Sequence, residues 1–167
     1  MIDKILKIMK KNNEMITPAQ LEKKGISRVY LSRMEEEGII ERIDRGIYVT
    51  KDFKYDEYYL FQFKYPKAIF SYNTALYFHN LTDRTPLKLD LTFPRNITVH
   101  DELINVHYIE NKYYMIGIEI KELQDGTKIR IYNKGAAPVY GMAPLFYSSS
   151  ITPLALTIER ITESLAL

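Results

Sequence analysis

A chain of 167 residues is long for one small helical module and short for several ordinary domains, so its length allows one or two compact units. Apolar residues at 46% and charged residues at 26% exclude a disordered polyelectrolyte, and the absence of cysteine excludes disulfides and thiolate zinc sites. The formal charge of +2 does not by itself mark a polyanion binder, but residues 1–54 hold 12 Lys or Arg against 9 Asp or Glu, while residues 55–167 hold 11 against 12.

Residues 2 to 11 place Ile2, Ile5, Leu6, Ile8 and Met9 on one broad helical face, with Lys4, Lys7, Lys10 and Lys11 toward solvent. This reads as a support helix. Thr17, Pro18 and Gln20 then form the signature of a second helix start: a capping threonine, a proline at the first helical position and a TxxQ capping box. Gly25 stops that helix, Ser27 is the expected cap of the next, and Glu35-Glu36-Glu37-Gly38 ends it. From Ile39 to Val49, two runs rich in β-branched residues flank Asp44-Arg45-Gly46, which suits a hairpin. Ala19, Leu21, Ile26, Leu31 and Met34 are expected to wall the core, closed from the hairpin by Ile39, Ile43 and Ile47.

Helix, tight turn, helix and two-stranded wing over residues 17 to 49 is a DNA-reading order. In that architecture the helix from Ser27 to Glu37 enters the major groove and the hairpin tip crosses a phosphate backbone or reaches a minor groove. Donor chemistry then nominates Arg28 and Arg33 for forked contacts to guanine or phosphate, Ser27 and Ser32 for shorter bonds, and Tyr30 for a phosphate or sugar. Arg42 and Arg45 are the wing candidates, with Lys23 and Lys24 nearby at the end of the preceding helix. The alternative is a winged helix that binds protein and not specific DNA, since Glu35, Glu36, Glu37, Glu41 and Asp44 repel phosphate.

After Val49 the pattern changes. Asp52 to Tyr65 carries Tyr55, Tyr58, Tyr59, Phe61, Phe63 and Tyr65 at helix-compatible spacing and ends at Pro66. Ser71 is expected to cap a further helix to about Asn80, followed by an exit loop from Thr82 to Pro86. Leu87 to Phe93 alternates Leu87, Leu89, Leu91 and Phe93 with Lys88, Asp90 and Thr92, the pattern of a half-buried strand. Further strands are predicted at Ile104 to Ile109, Tyr113 to Ile120 and Lys128 to Tyr132. The fold class is therefore α+β: an amino-terminal winged helix-turn-helix followed by a mixed helix and antiparallel-sheet domain. We expect domains at 1–51 and 52–132, with residues 133–167 as a divergent or truncated carboxy-terminal segment.

Gly25-Ile26-Ser27-Arg28, Gly38-Ile39-Ile40-Glu41-Arg42-Ile43 and Arg45-Gly46-Ile47-Tyr48, followed by the helix from Ser71 to His79, by Leu81-Thr82 and by LDLTFPR at 89–95, resemble the AbiEi-like antitoxin and transcriptional-regulator family. These belong to the abortive-infection E system, a type IV toxin-antitoxin system of phage defence. The resemblance spans roughly residues 1–132. It implies a winged helix that represses its own operon by binding double-stranded DNA at the promoter, joined to an α/β domain that opposes a nucleotidyltransferase-like toxin. It implies DNA contact at Ser27, Arg28, Tyr30, Ser32, Arg33, Arg42 and Arg45, and toxin neutralisation from Tyr55 onward. After Tyr132 the chain departs from the family: Gly135-Ala136-Ala137-Pro138, Gly141-Met142-Ala143-Pro144 and Ser148-Ser149-Ser150 stand where the family continues with a polar helical segment. A short helix is expected over residues 151 to 163.

No metal, cofactor or catalytic constellation is expected. His79, His100 and His107 have no metal-ligand spacing, Asp90, Asp101, Glu102 and Glu110 make no evident acid/base pair, and Gly117 stands outside any phosphate-cradling motif. No apolar run approaches the ~20 residues of a membrane span and no signal-peptide core opens the chain, so the expectation is a soluble cytoplasmic protein that is not an enzyme and has no membrane contact.

Overall fold

The computed structural model describes residues 1–136, and the chain divides into two compact units, Met1–Glu57 and Tyr58–Leu167. The expected helix over 151 to 163 and most of the expected segment 133–167 lie outside the described residues. Both units mix helices with a sheet, so the fold class is α+β, with a winged helix-turn-helix at the amino terminus.

In the first unit, helix α1 (Ile2–Lys11) buries Ile5 and Met9 and packs Ile2, Leu6 and Ile8 partly against the same core. Asn13 and Glu14 then turn the chain in left-handed backbone conformations, and Met15–Ile16 forms strand β1. Helix α2 (Pro18–Glu22) begins with both capping-box bonds, the Gln20 amide to the Thr17 hydroxyl at 3.3 Å and the Thr17 amide to the Gln20 side chain at 3.0 Å. Its end is closed by paired bonds from Ile26 to the Leu21 carbonyl and from Gly25 to the Glu22 carbonyl, at 3.0 and 2.9 Å. That closure requires a left-handed residue, supplied by Gly25 at φ +70. Helix α3 (Val29–Glu36) ends in the same way, with Ile39 bonded to Met34 and Gly38 to Glu35.

Strands β2 (Ile40–Asp44) and β3 (Ile47–Thr50) form the wing hairpin, with an irregularity between Arg42 and Asp44. The expected two-stranded wing is part of a three-stranded sheet in the order β1-β3-β2, because β1 pairs antiparallel with β3. Two residues give no periodicity to read, so β1 was invisible in the sequence. It is held at its edge by Glu14, whose carbonyl accepts the Thr50 amide at 3.1 Å and whose carboxylate accepts the Thr50 hydroxyl at 2.6 Å. The core joins Ile5, Met9, Ile16, Leu21, Ile26, Leu31, Met34 and Ile40. Ala19, expected in its wall, is exposed, and Ile39 and Ile43 are only half-buried; Ile40, with Ile47, closes the core from the hairpin.

In the second unit the aromatic helix is shorter than expected. It is α4 (Glu57–Lys64), because Asp52 adopts a left-handed turn conformation and residues 53–56 are irregular. Strand β4 (Ile69–Phe70), helix α5 (Tyr72–Phe78), strands β5 (Leu89–Pro94) and β6 (Ile104–Ile109), helix α6 (Asn111–Tyr114), and strands β7 (Ile118–Glu122) and β8 (Lys128–Tyr132) follow. The sheet order is β6-β5-β4-β8-β7, with β4–β5 and β7–β8 antiparallel and β5–β6 and β4–β8 parallel. Residues 113 and 114, expected to begin a strand, belong to α6.

Alternation along these strands separates two cores. Phe70, Leu91, Phe93, Ile129 and Ile131 pack with Tyr58, Phe61 and Tyr65, while Ile69 and Tyr132 pack with Ala75 and Tyr114. Strand β5 lies between two neighbours and is covered on both faces, so Asp90 and Thr92, expected toward solvent, are 4% and 1% exposed. Ser71 stands at the start of α5 without capping it. Its hydroxyl instead bonds the Asp90 carbonyl and accepts the Thr92 hydroxyl at 2.8 Å, and the Thr74 hydroxyl accepts the Asp90 amide at 2.9 Å. Asp90 is no lone carboxylate: it accepts from Asn105 at 3.2 Å and pairs with His107 at 2.8 Å.

The connection between β5 and β6 is anchored through Asp101, which accepts from Lys64 at 2.9 Å and from the Tyr65 hydroxyl at 2.7 Å. Burial raises the Asp101 carboxyl, but these two bonds and the Leu103 amide outweigh it and hold the group below the ordinary carboxylate range. The Tyr65 hydroxyl is pushed up to about 12, first by burial and then by its bond to Asp101.

A carboxyl depressed in the fold stabilises the protein above its unfolded pKa and loses that contribution as pH falls through the folded one. Asp101→Asn should therefore lower stability by about 2 kcal/mol at neutral pH, and its deficit against the parent should shrink below about pH 4. Urea melts across that range check the sign; a deficit independent of pH would detach it from ionisation. Gly25→Ala should cost ~1 to 2 kcal/mol by placing a side chain in a left-handed conformation. No atom beyond its two chain neighbours lies within 4 Å of the added carbon, so the loss would come from the backbone alone, and an unchanged urea midpoint would refute it.

Candidate nucleic-acid interface

Helix α3 has one inward and one outward stripe. Leu31 and Met34 are buried at 1% and 0% exposure, which leaves Val29, Ser32, Arg33 and Glu36 at helical i, i+3, i+4 and i+7 spacing on the exposed side. Ser32 and Arg33 are therefore brought onto one surface by the burial of their neighbours. Arg28 and Ser27 precede this stripe and are exposed.

Ser27 acts where a cap was expected, but one residue further from the regular helix than a standard cap. Its hydroxyl accepts the Val29 amide at 3.3 Å and its carbonyl accepts the Tyr30 amide at 3.3 Å, while Arg28 already has helical backbone angles. Because it is the acceptor in that bond, the hydroxyl keeps its own proton to donate. Tyr30 differs from its neighbours: its ring is half-buried against the core of Ile5, Leu31 and Met34, so only its polar end is a candidate for surface contact.

Arg33 is exposed but engaged. Its Nε donates to Glu37 at 2.8 Å, and the hydrogen bond and charge of Glu37 raise its pKa further above the ordinary arginine value. One edge of the guanidinium is thus occupied by an acid that an incoming phosphate would have to displace or tolerate. Lys23 and Lys24 are exposed in the turn between α2 and α3, where Gly25 closes the helix.

On the wing, Arg42 and Arg45 are both exposed. Arg42 Nε donates to the Asp44 carbonyl at 3.2 Å, and the Asp44 carboxylate accepts the Arg45 amide at 2.6 Å. Asp44 thereby shapes the hairpin tip from within, with Arg42 on β2 and Arg45 in the turn. The basic candidates thus fall in three places: Arg28 with the turn before α3, Arg33 in the last turn of α3, and the two arginines of the hairpin. Three glutamates, Glu35 to Glu37, lie exposed at the end of α3.

The residue that sequence reasoning passed over is Val29, 69% exposed at the first position of α3. A hydrophobic residue beside Leu31 reads as core, but its spacing to Ser32 and Arg33 places it with them.

Among the described residues there is no group of three or more His, Asp or Glu side chains that could hold a metal ion, and no helix long and apolar enough to cross a membrane. His79 instead ties the end of α5 to β8 through the Tyr132 carbonyl at 2.8 Å.

No curated protein matches the chain. Residues 3–51, which span α1, the helix-turn-helix and the wing, match the family model described as transcriptional regulator, AbiEi antitoxin, the family that the sequence resembles.

Proposed function

We propose that this chain is a DNA-binding autorepressor of its own promoter and the antitoxin of an AbiE-type toxin-antitoxin system in phage defence. Its partners are double-stranded DNA and a nucleotidyltransferase-like toxin, and it works in the cytoplasm by binding, without catalysis or a cofactor. The observation that carries the DNA reading is the outward stripe of α3 with Arg28 and the wing arginines, in a module matched to an antitoxin regulator family.

The charge layout supports one orientation. The three exposed glutamates at the end of α3 repel phosphate, whereas the beginning of the helix is neutral or basic. The helix therefore enters a major groove with its first turns, as recognition helices do, and keeps its acidic end outside. The arginines of the wing reach phosphate and set register, a role that carries affinity more than sequence information. A protein-binding winged helix is favoured by one observation, the Arg33–Glu37 pair, which partly neutralises the exposed face.

A gel shift with the DNA immediately upstream of the encoding gene tests the first half. Specific retention against an unrelated duplex is expected; equal retention of both supports the protein-binding alternative. Arg28→Ala should cost ~1 to 3 kcal/mol in affinity and weaken discrimination between related sites, with the circular dichroism spectrum intact. Glu37→Gln should tighten binding by about three-fold, since it frees Arg33 and removes an exposed acid; weaker binding would place Arg33 away from DNA.

Replacing Arg42 and Arg45 together should weaken binding to many duplexes and reduce the salt slope by up to about 2. An unchanged slope in log affinity against log salt would move both side chains off the phosphate.

Toxin neutralisation is assigned chiefly to residues 55–132. Co-expression of the full chain with a toxin encoded beside it should restore growth, while residues 1–57 alone should not. Rescue by residues 1–57 would overturn this division of labour.

A further inference from the structure

Val29 gains no burial from its position in the fold. It is β-branched and 69% exposed at the start of a helix that needs its other apolar residues, Leu31 and Met34, for the core. Branching at Cβ lowers helix propensity, and exposure returns no burial in compensation. A single exposed aliphatic side chain is ordinary on a protein surface. This one is flanked on its own stripe by Ser32 and Arg33 and preceded by Ser27 and Arg28, all polar groups that can donate hydrogen bonds.

Those neighbours constrain what could cover it. A protein partner docking through Val29 would have to desolvate the surrounding donors, and the exposed apolar area at this point is one side chain wide. A DNA major groove supplies acceptors for the donors and offers one apolar group on its floor, the 5-methyl of thymine. The first residues of a recognition helix are those that reach base edges. An isopropyl group has no hydrogen bond to give or accept there, so it distinguishes bases only through that methyl.

Resting on the DNA-binding reading above, we infer that Val29 is a specificity-determining residue that selects thymine by burying its isopropyl group against the 5-methyl in the major groove. Ser32 and Arg33 on the same stripe then hydrogen-bond to neighbouring base edges or phosphate, while Val29 supplies the apolar part of the readout.

The test uses the full chain and the DNA immediately upstream of its gene, amplified once with thymidine triphosphate and once with deoxyuridine triphosphate, so that the two duplexes differ only in the 5-methyl groups. The parent should bind the uracil duplex about four-fold more weakly per contacted methyl, the value of one methyl-sized group withdrawn from water. Val29→Ala should show a similar loss on thymine DNA and little further loss on uracil DNA, because both changes remove the same contact. Its melting temperature should be unchanged or raised, since alanine is the better helix former.

Equal affinity of the parent for both duplexes would overturn the assignment and leave the DNA reading standing. Equal uracil sensitivity in parent and Val29→Ala would also overturn it, by locating the methyl effect elsewhere. If the parent retains neither duplex better than unrelated DNA, the DNA reading itself fails and this assignment with it.

Discussion

The outer face of α3 is determined by what holds its inner face. Leu31 and Met34 are packed against Ile5, Met9, Leu21 and Ile40, contributed by every other helix of the first unit and by the hairpin. Because a helix has a fixed periodicity, locking those two side chains inward sets Val29, Ser32 and Arg33 outward. The short turn before α3 is then constrained as well: α2 must stop at once, and the left-handed Gly25 allows its last carbonyls to be satisfied within the turn. A looser connection would leave α3 free to roll on the core and blur any surface it presents.

Charge in this unit is arranged for position and not for bulk attraction. The Arg33–Glu37 pair, the acidic end of α3 and the Asp44 carboxylate in the wing tip all reduce the non-specific pull on a polyanion. The Arg33–Glu37 pair also holds the guanidinium in one place, at the cost of occupying one of its edges.

The second unit is organised around a polar layer inside its sheet. Burial of Asp90 between strands would be costly for an isolated carboxylate, and it is tolerated because Asn105 and His107 meet its oxygen while its main chain is bonded to Thr74 and Ser71. Tyr72 stacks on His107 at 3.8 Å from a left-handed backbone conformation, which seals the layer from one side. On the other face, Gln62 spans from α4 to β8, donating to the Tyr65 and Ala68 carbonyls and accepting the Arg130 amide at 2.7 Å. These networks fix strand register in a sheet whose neighbouring β4 is only two residues long.

The amphipathic spacing of residues 2 to 11, the TxxQ box at Thr17, the glycines at 25 and 38 and the turn at Asp44 to Gly46 determined the helix-turn-helix and wing by themselves, because capping, left-handed closure and helical periodicity are local effects. The basic candidates on α3 and the hairpin were legible for the same reason. Tertiary structure decided the rest. It recruited Met15 and Ile16 as a third strand, a pairing whose stability comes entirely from β3 across 30 or so residues of chain. It covered both faces of β5, so that a pattern reading as half-exposed became a buried strand with Asp90 inside. It packed Tyr30 partly against the core and left Val29 out, since which of two adjacent apolar side chains is covered depends on where α1 and the hairpin lie against α3, information that no spacing within the helix contains.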